Sequence, residues 1–518
     1  MNGSPELHQA SSAVIQRPFS SRTPLLDNPD VAIIGSGIMS ATLAVLLHRL
    51  DSRLQIQMIE VTEETSQEAS HGWNNAGTGH AGICELSYTP ARDDTGKVPI
   101  HRALHIFEQF EHSKQFWSYL VANGITNHAS DFIHAVPHVC FVQGRDDVDF
   151  LQTRHAAMTQ HHFFADNVLT SDSDTIAAWA PLLMEGRPRG PVAATSGAGT
   201  EVDYGRLARQ MCNWVSTGEN CRVSTGWRAI SITKDNRKWD VALQHSQSGE
   251  QRFIRAPFVF VGAGGGSLPL LQSTRLPESR GLAGFPIGGQ WLVCDETNIT
   301  SRHGAKVYGA TPPSSPSLGA GHLDVRRLNG KRQLLFGPFA SWTTRFLKHS
   351  GSWMDLPASV RPHNVESLLR TALKNSDLVK YLIQQGLQSM NERMEALRMF
   401  YPQAQTEHWR LIDAGIRVQT IKHSDRGTIH FGTEVFYPAD KSLASLLGAS
   451  PGASVSVNIA LEVVKTCLPT LLNDATKRAR MREMIPTFDT DLKLPQHAPL
   501  FRETTRNAAE LLQLPFFQ

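Results

Sequence analysis

Only six of the 518 residues are cysteine (Cys84, Cys140, Cys212, Cys221, Cys294 and Cys467), and no two of them stand in a C-x-x-C spacing. Thiols scattered in this way argue against a zinc ribbon and supply no disulfide framework, so a reducing, cytoplasmic setting and no metal are expected. No run approaches the ~20 apolar residues of a bilayer-spanning helix, and the N-terminus lacks the charged-then-apolar order of a secretory signal. Any membrane contact is therefore expected to be peripheral. Charge of one sign is not in excess either: 50 Lys and Arg stand against 48 Asp and Glu, which leaves no polycation for a nucleic acid.

What is present is an ordinary globular composition, long enough to exceed one hydrophobic core. Residues 1–29 are Ser-rich and Pro-punctuated and read as a disordered leader. Between Leu7 and Leu26 they carry Arg17 and Arg22 and no acid, a feature shared with organellar transit peptides, though without clear amphipathicity. Then Asp30 to Ile34 forms a β-branched run, Met39 to Leu50 an apolar helix, and Leu54 to Ile59 a second strand ending in Glu60. Strand, glycine turn, helix, strand and acid in that order predict a βαβ nucleotide-binding unit.

Further helices are predicted over 101–122, 147–160, 204–217 and 362–398, with sheet near 225–243 and 250–262. The pattern from 352 to 400 is continuously helical. Its apolar faces (Leu368, Leu369, Leu373, Leu378, Tyr381, Leu382, Leu387) suit packing on a substrate domain, or else a surface resting on a membrane. Residues 476–518 read as a basic helix and a docked tail.

Gly35 and Gly37 occupy the first two positions of the dinucleotide fingerprint, with Ser40 or Ala41 at the third small-residue position. Gly35 turns the chain out of its strand, Gly37 admits backbone to a pyrophosphate, and Ile38, Met39 and Ser40 open a helix whose N–H groups and positive dipole end face the phosphates. Glu60 is placed for ribose hydroxyls. A second apolar strand, Phe258 to Val261, runs into Gly262 and Gly264, and a small-residue loop, Gly448 to Ser454, feeds another apolar helix whose N-terminus can stabilise negative charge. Contacts spread this far along the chain suit an extended FAD rather than NAD.

The segments Ile33–Thr42, Gly72–Gly82, Cys84–Pro90, Met184–Arg187, His322–Asp324, Leu335–Phe339, Ala414–Gln419 and Gly448–Ser454 together resemble the malate:quinone oxidoreductase family. The resemblance runs in order from about residue 30 to the C-terminus. It implies an α/β fold similar to the glycerol-3-phosphate and L-2-hydroxyglutarate flavoenzymes, with a discontinuous Rossmann-like FAD domain (30–90, 191–285, 410–475). A substrate domain with a mixed sheet (91–190, 286–409) and the helical tail complete the expected layout. Implied too are FAD, oxidation of (S)-malate to oxaloacetate, and a quinone acceptor at the inner face of the cytoplasmic membrane. Departures at Gly288–Trp291 and Pro316–Gly321 leave open a relative acting on another 2-hydroxy acid or a specialised metabolite, with oxygen as acceptor, or a flavin-binding protein without catalysis.

Within that resemblance the chemistry assigns roles. Alcohol oxidation needs a base for the hydroxyl proton, and histidine is suited to it near neutral pH. His322 is the first choice, with His80 placed beside the flavin or orienting substrate. A carboxylate substrate calls for a guanidinium fork, for which Arg417 comes first and Arg326 second, with Lys306 and Tyr308 in support. The expected cofactor loop is Asn74, Asn75, Gly77, Thr78, Gly79 and His80, joined by Gly448, Ser450, Pro451, Gly452, Ala453 and Ser454.

Overall fold

The computed structural model describes residues 24–89, 91–310, 320–421, 429–430, 433–448 and 452–516. Its first strand, Val31–Ile34, is buried on both faces and pairs in parallel with Ile56–Ile59 on one side and Phe258–Val261 on the other. The second glycine-ended strand thus returns to the side of the first. Among the described residues the sheet runs Thr433–Phe436, Leu443–Gly448, Phe258–Val261, Val31–Ile34, Ile56–Ile59, Cys221–Ser224, parallel except at the Thr433–Phe436 edge. Helices Ile38–Leu50, Tyr204–Ser216 and Ser456–Cys467 share one core against this sheet, and an antiparallel meander (Trp227–Asp235, Lys238–His245, Gln251–Ala256) joins the core on its other face.

A nine-stranded mixed sheet forms the other layer, ordered Ile429–His430, Arg410–Ile421, Ala283–Cys294, Lys331–Ser341, His322–Leu328, Lys306–Tyr308, His138–Gln143, Val192–Gly197, Val168–Thr170. Membership here redraws the expected domain limits. Strands Val192–Gly197 and Arg410–Ile421 pair into this sheet rather than the nucleotide one, while helix His101–Ala122 packs in the nucleotide core through Ile106, Phe110, Phe116 and Trp117. The C-terminal helices dock on the same helix and on Ile38–Leu50. Thr505 hydrogen-bonds Glu111, Lys477 reaches Asp51 at 2.7 Å, and Phe501 packs on Phe107. Residues 24–29 of the expected leader also pack on the protein: Leu25 joins the meander-side core and the Leu26 N–H donates to Gln57.

The expected continuous helix over 352–400 is broken into Asp355–Ser359, Val365–Lys374, Ser376–Leu387 and Met390–Arg398. Pro362 disfavours helix at its predecessor, and Ser389 with Glu392 forms a capping box that starts a new helix. Among the described residues no helix is long and apolar enough to cross a membrane.

Candidate active site

One cavity of about 440 Å³ opens at the carboxyl end of the parallel strands and reaches from Glu60 past the glycine turns to His322 and Arg417. Ligands of open parallel sheets sit in that position, outside the strand ends. At the Glu60 end the backbone itself is the wall. Gly35 has φ +95°, and a Cβ there would lie 2.4 Å from the Gly262 carbonyl, so only glycine lets the two strand ends meet. Glu60 accepts from the Ser36 N–H and hydroxyl and from Thr62, which fixes its carboxylate at the cavity edge. Ser70 accepts the Ile38 N–H at 2.9 Å, and Gly37 brings no capping side chain to the helix start.

Ser40 does not line the cavity. Its hydroxyl lies where a Cβ on Gly262 would collide at 2.3 Å, so it performs the third small residue's task of close helix–strand packing. Asn74 and Asn75 do line it, but their side chains turn into the loop. Asn75 donates to the Ala69, Ser70 and His71 carbonyls, and Asn74 to those of Gln67 and Glu68. Gly77 and Thr78 line the cavity, whereas Gly79 is packed under Phe110 and Thr200. Gly262, Gly264, Gly448, Gly452, Ala453 and Ser454 complete the wall, the last three at the entry to helix Ser456–Cys467; Ser450 and Pro451 lie outside the described residues.

The other end carries the titratable groups. His322 donates or accepts through Nδ1 at 2.8 Å from Asp324 Oδ2, is stacked on Tyr308 at 4.3 Å and meets the Trp291 ring edge-on at 5.4 Å. With Nδ1 held and the ring clamped, Nε2 is the nitrogen left for a ligand. Burial pushes the Asp324 carboxyl up, but the His322 and Lys306 charges outweigh it and hold it below the usual aspartate value. His80 lines the cavity with Nδ1 at 2.8 Å from the Tyr88 hydroxyl and 3.4 Å from Glu85; burial pushes its pKa down against the pull of Glu85. Tyr308 lines it too, its hydroxyl 2.8 Å from that of Thr78.

Arg417 is half-buried on the cavity wall, and among the described residues its guanidinium has no hydrogen-bond or ion-pair partner. A desolvated, unpaired guanidinium fork is a ready anion site. Arg326 is different. It is fully buried away from the cavity, ion-paired to Glu201 and donating to the Gly72 and Val202 carbonyls, so it braces the loop rather than facing a substrate. Lys306 is equally buried, donating to the Ala76 carbonyl at 2.7 Å with Asp324 3.6 Å away, which makes it a support for the His322–Asp324 pair. Sequence reasoning singled out the Gly288–Trp291 segment, whose Trp291 meets His322, but missed Glu85 as a site neighbour and the role of Asp324.

Gly77 ties these parts together, with φ +63° and a Cβ position only 1.4 Å from Arg326 Nη1. Gly77→Ala is expected to lower the unfolding free energy by about 3 kcal/mol or more, read by urea unfolding, since the new methyl must displace a buried ion pair. A change within about 0.5 kcal/mol would show that the loop can re-route. Motifs outside the cavity have structural explanations: Arg187 ties the Met399 and Phe400 carbonyls, and His161 and His162 bond the Lys493 and Leu492 carbonyls. Among the described residues no group of three or more His, Cys, Asp or Glu could hold a metal ion.

The chain is similar to known proteins in both sequence and fold. The family model described as malate:quinone oxidoreductase matches residues 27–514. "Probable malate:quinone oxidoreductase 2" of Pseudomonas aeruginosa is 44% identical over 489 residues, covering 94% of this chain and 96% of that one. "Probable malate:quinone oxidoreductase" of Methylobacillus flagellatus is 48% identical over 467 residues, covering 89% and 94%. Among solved structures, the FAD-bound L-alpha-glycerophosphate oxidase of Mycoplasma pneumoniae superposes with a TM-score of 0.57 at 14% identity, covering 87% of this chain and 96% of that one. Glycine oxidase of Geobacillus kaustophilus gives 0.55 at 13%, covering 86% and 95%. At such identities the structures speak to the fold, which is the expected α/β flavoenzyme architecture. The sequence relatives speak to more, and the chain belongs to the malate:quinone oxidoreductase family.

Proposed function

We propose that the protein oxidises (S)-malate to oxaloacetate with FAD and passes the electrons to a quinone. The observation that carries this reading is the convergence, on the cavity that the glycine turns line, of a histidine held by an aspartate and an arginine that has no partner among the described residues. FAD fits the residues present. The glycine walls at Gly35 and Gly262 leave no room for side chains, Glu60 lines the cavity where it would accept from ribose hydroxyls, and the entry to helix Ser456–Cys467 presents its positive dipole end to the cavity. When bound, FAD supplies the hydride acceptor at N5 and an exit for two electrons.

The chain's own residues do the rest. Arg417 binds a malate carboxylate in a bidentate fork and so fixes the plane of the substrate. His322 Nε2 takes the hydroxyl proton as C2 gives up its hydride, and Asp324 stabilises the imidazolium that results. Tyr308 and Trp291 keep the imidazole in one plane, while His80, whose pKa burial pushes down, borders the same space as a hydrogen-bonding group.

A membrane-dissolved acceptor is supported by the outer surface of the broken helical region. Val365, Leu369 and Leu373, four residues apart, form an exposed stripe, and Leu387, Trp342, Trp353 and Met354 are exposed as well, with Leu373 at 80%. Trp353 and Met354 lie between Gly351 and Asp355, which line the cavity, so this apolar surface borders its rim. Arg361, Arg370, Lys374 and Lys380 lie on the same segment, suiting a peripheral contact with anionic headgroups.

The test is an anaerobic mix of the yellow protein with (S)-malate, and in parallel with (S)-2-hydroxyglutarate and (S)-lactate. Malate alone is expected to bleach the oxidised-flavin band, and a soluble quinone to restore it faster than air. A flavin left oxidised by malate but bleached by another acid would move the substrate assignment. Restoration by air as fast as by quinone would make the protein an oxidase.

A further inference from the structure

Residues 342–355 join strand Lys331–Ser341 to helix Asp355–Ser359 and carry none of the expected chemistry. Yet Phe346, Leu347, Ser350 and Gly351 line the cavity. Phe346 is buried in the core on the meander side of the nucleotide sheet, and its carbonyl lies 2.1 Å from where a Cβ on Gly265 would stand. The segment is therefore closed directly over the second glycine turn. It is folded on itself, because Asp355 accepts the Phe346 and Ser352 N–H groups at 2.9 Å each.

What holds its tip comes from the nucleotide domain. The Glu68 carboxylate accepts the N–H groups of Lys348 (2.8 Å), His349 (3.1 Å) and Ser350 (2.8 Å) and the Ser350 hydroxyl (2.8 Å). Lys348 Nζ adds bonds to Asn74 Oδ1 and the Asp413 carbonyl at 2.8 Å each, and Arg228 donates to the Ser350 carbonyl at 2.8 Å. A carboxylate that spends its acceptor sites on three successive main-chain N–H groups makes strong, charge-assisted bonds, and breaking them strands donors and charge together. Glu68 itself lines the cavity, in the loop from Glu60 to Asn75 whose Glu60, Ser66 and Ser70 do so too, so the contact joins two separate segments of the cavity lining.

We propose that residues 342–355 are a strap across the dinucleotide half of the cavity and that Glu68 is its latch, so that FAD enters or leaves only when this contact opens. The inference rests on the FAD reading above. Glu68 acts as a positioning residue through the strap and leaves the His322 chemistry untouched. Glu68→Gln places an amide N–H₂ among backbone donors and removes the charge, and Ser350→Ala removes one of the four bonds with little risk to folding.

The experiment compares wild-type holoenzyme with Glu68→Gln, Ser350→Ala and the surface control Glu250→Gln. It follows free FAD by fluorescence after dilution, alongside thermal unfolding of each protein stripped of flavin. Glu68→Gln is expected to release FAD about tenfold faster or more, as an opening made about 1.4 kcal/mol easier requires. Ser350→Ala should release it about two- to threefold faster, matching one weak hydrogen bond. The control should match wild type, and the stripped proteins should unfold within about 2 °C of one another. If Glu68→Gln does not fold, the Ser350→Ala rate decides. Release at the wild-type rate from both variants overturns the latch, as does a fall of more than about 5 °C in the unfolding temperature of stripped Glu68→Gln, which would make the faster release a general loosening of the fold. A wild type that neither carries nor takes up FAD overturns the cofactor reading, and the latch with it.

Discussion

Arg417→Ala is expected to lower kcat/KM for malate by about a thousandfold, since truncating one partner of a desolvated, hydrogen-bonded charge pair costs about 2–5 kcal/mol. Arg417→Lys keeps the charge and loses the fork, so a drop of about 30-fold is expected, falling mainly on KM. The same position predicts an opposite effect on stability. Burial pushes the Arg417 pKa down, although Glu85 opposes this, and among the described residues the guanidinium has no bonding partner. Arg417→Met should therefore raise the unfolding free energy of the ligand-free protein by about 1 kcal/mol while abolishing turnover. Saturation kinetics and urea unfolding on one preparation would read both. An alanine variant with kcat and KM near wild type would place the carboxylate elsewhere on the cavity wall.

The nucleotide half was legible because its signals are local. A glycine turn between a buried strand and an apolar helix reads the same way in any fold, and Phe258 to Val261 could be matched to it by composition. The misreadings came from partners far off in the chain. Arg326, second choice for the carboxylate because it follows His322 closely, is neutralised by Glu201, 125 residues away, and nothing near Arg326 announces that pairing. Lys306 is drawn inward by strand pairing that sets it opposite Asp324. One feature could have been found: residues two apart on a strand share a face, so His322 and Asp324 were already placed side by side by sequence. The helix breaks at Asn375 and Ser389 were visible as capping residues inside a pattern that apolar periodicity alone made continuous. Domain limits failed at Val192–Gly197 and Arg410–Ile421 because a strand's sheet is chosen by tertiary pairing, which periodicity does not encode.

His322→Gln should slow flavin reduction by malate about a thousandfold in an anaerobic single turnover, the range for removing a general base, with malate affinity little changed. Asp324→Asn should slow it about a hundredfold, because the imidazole loses the carboxylate that orients it and stabilises its charged form. The two variants separate in stability. Asp324→Asn leaves the fully buried Lys306 without its carboxylate, a loss of about 3 kcal/mol at neutral pH, whereas His322→Gln keeps that ion pair. The pH dependence has a definite sign. Asp324 is held below its ordinary value in the folded protein, so its stabilising contribution is fully present above the unfolded aspartate range of about pH 4 and is lost as pH falls toward the folded value. Wild type should lose that increment in acid unfolding, and Asp324→Asn, which never had it, should not. If His322→Gln reduced the flavin at near the wild-type rate while His80→Gln did not, the proton would leave by way of His80, and the Tyr88–Glu85 cluster behind that ring would become its supporting pair.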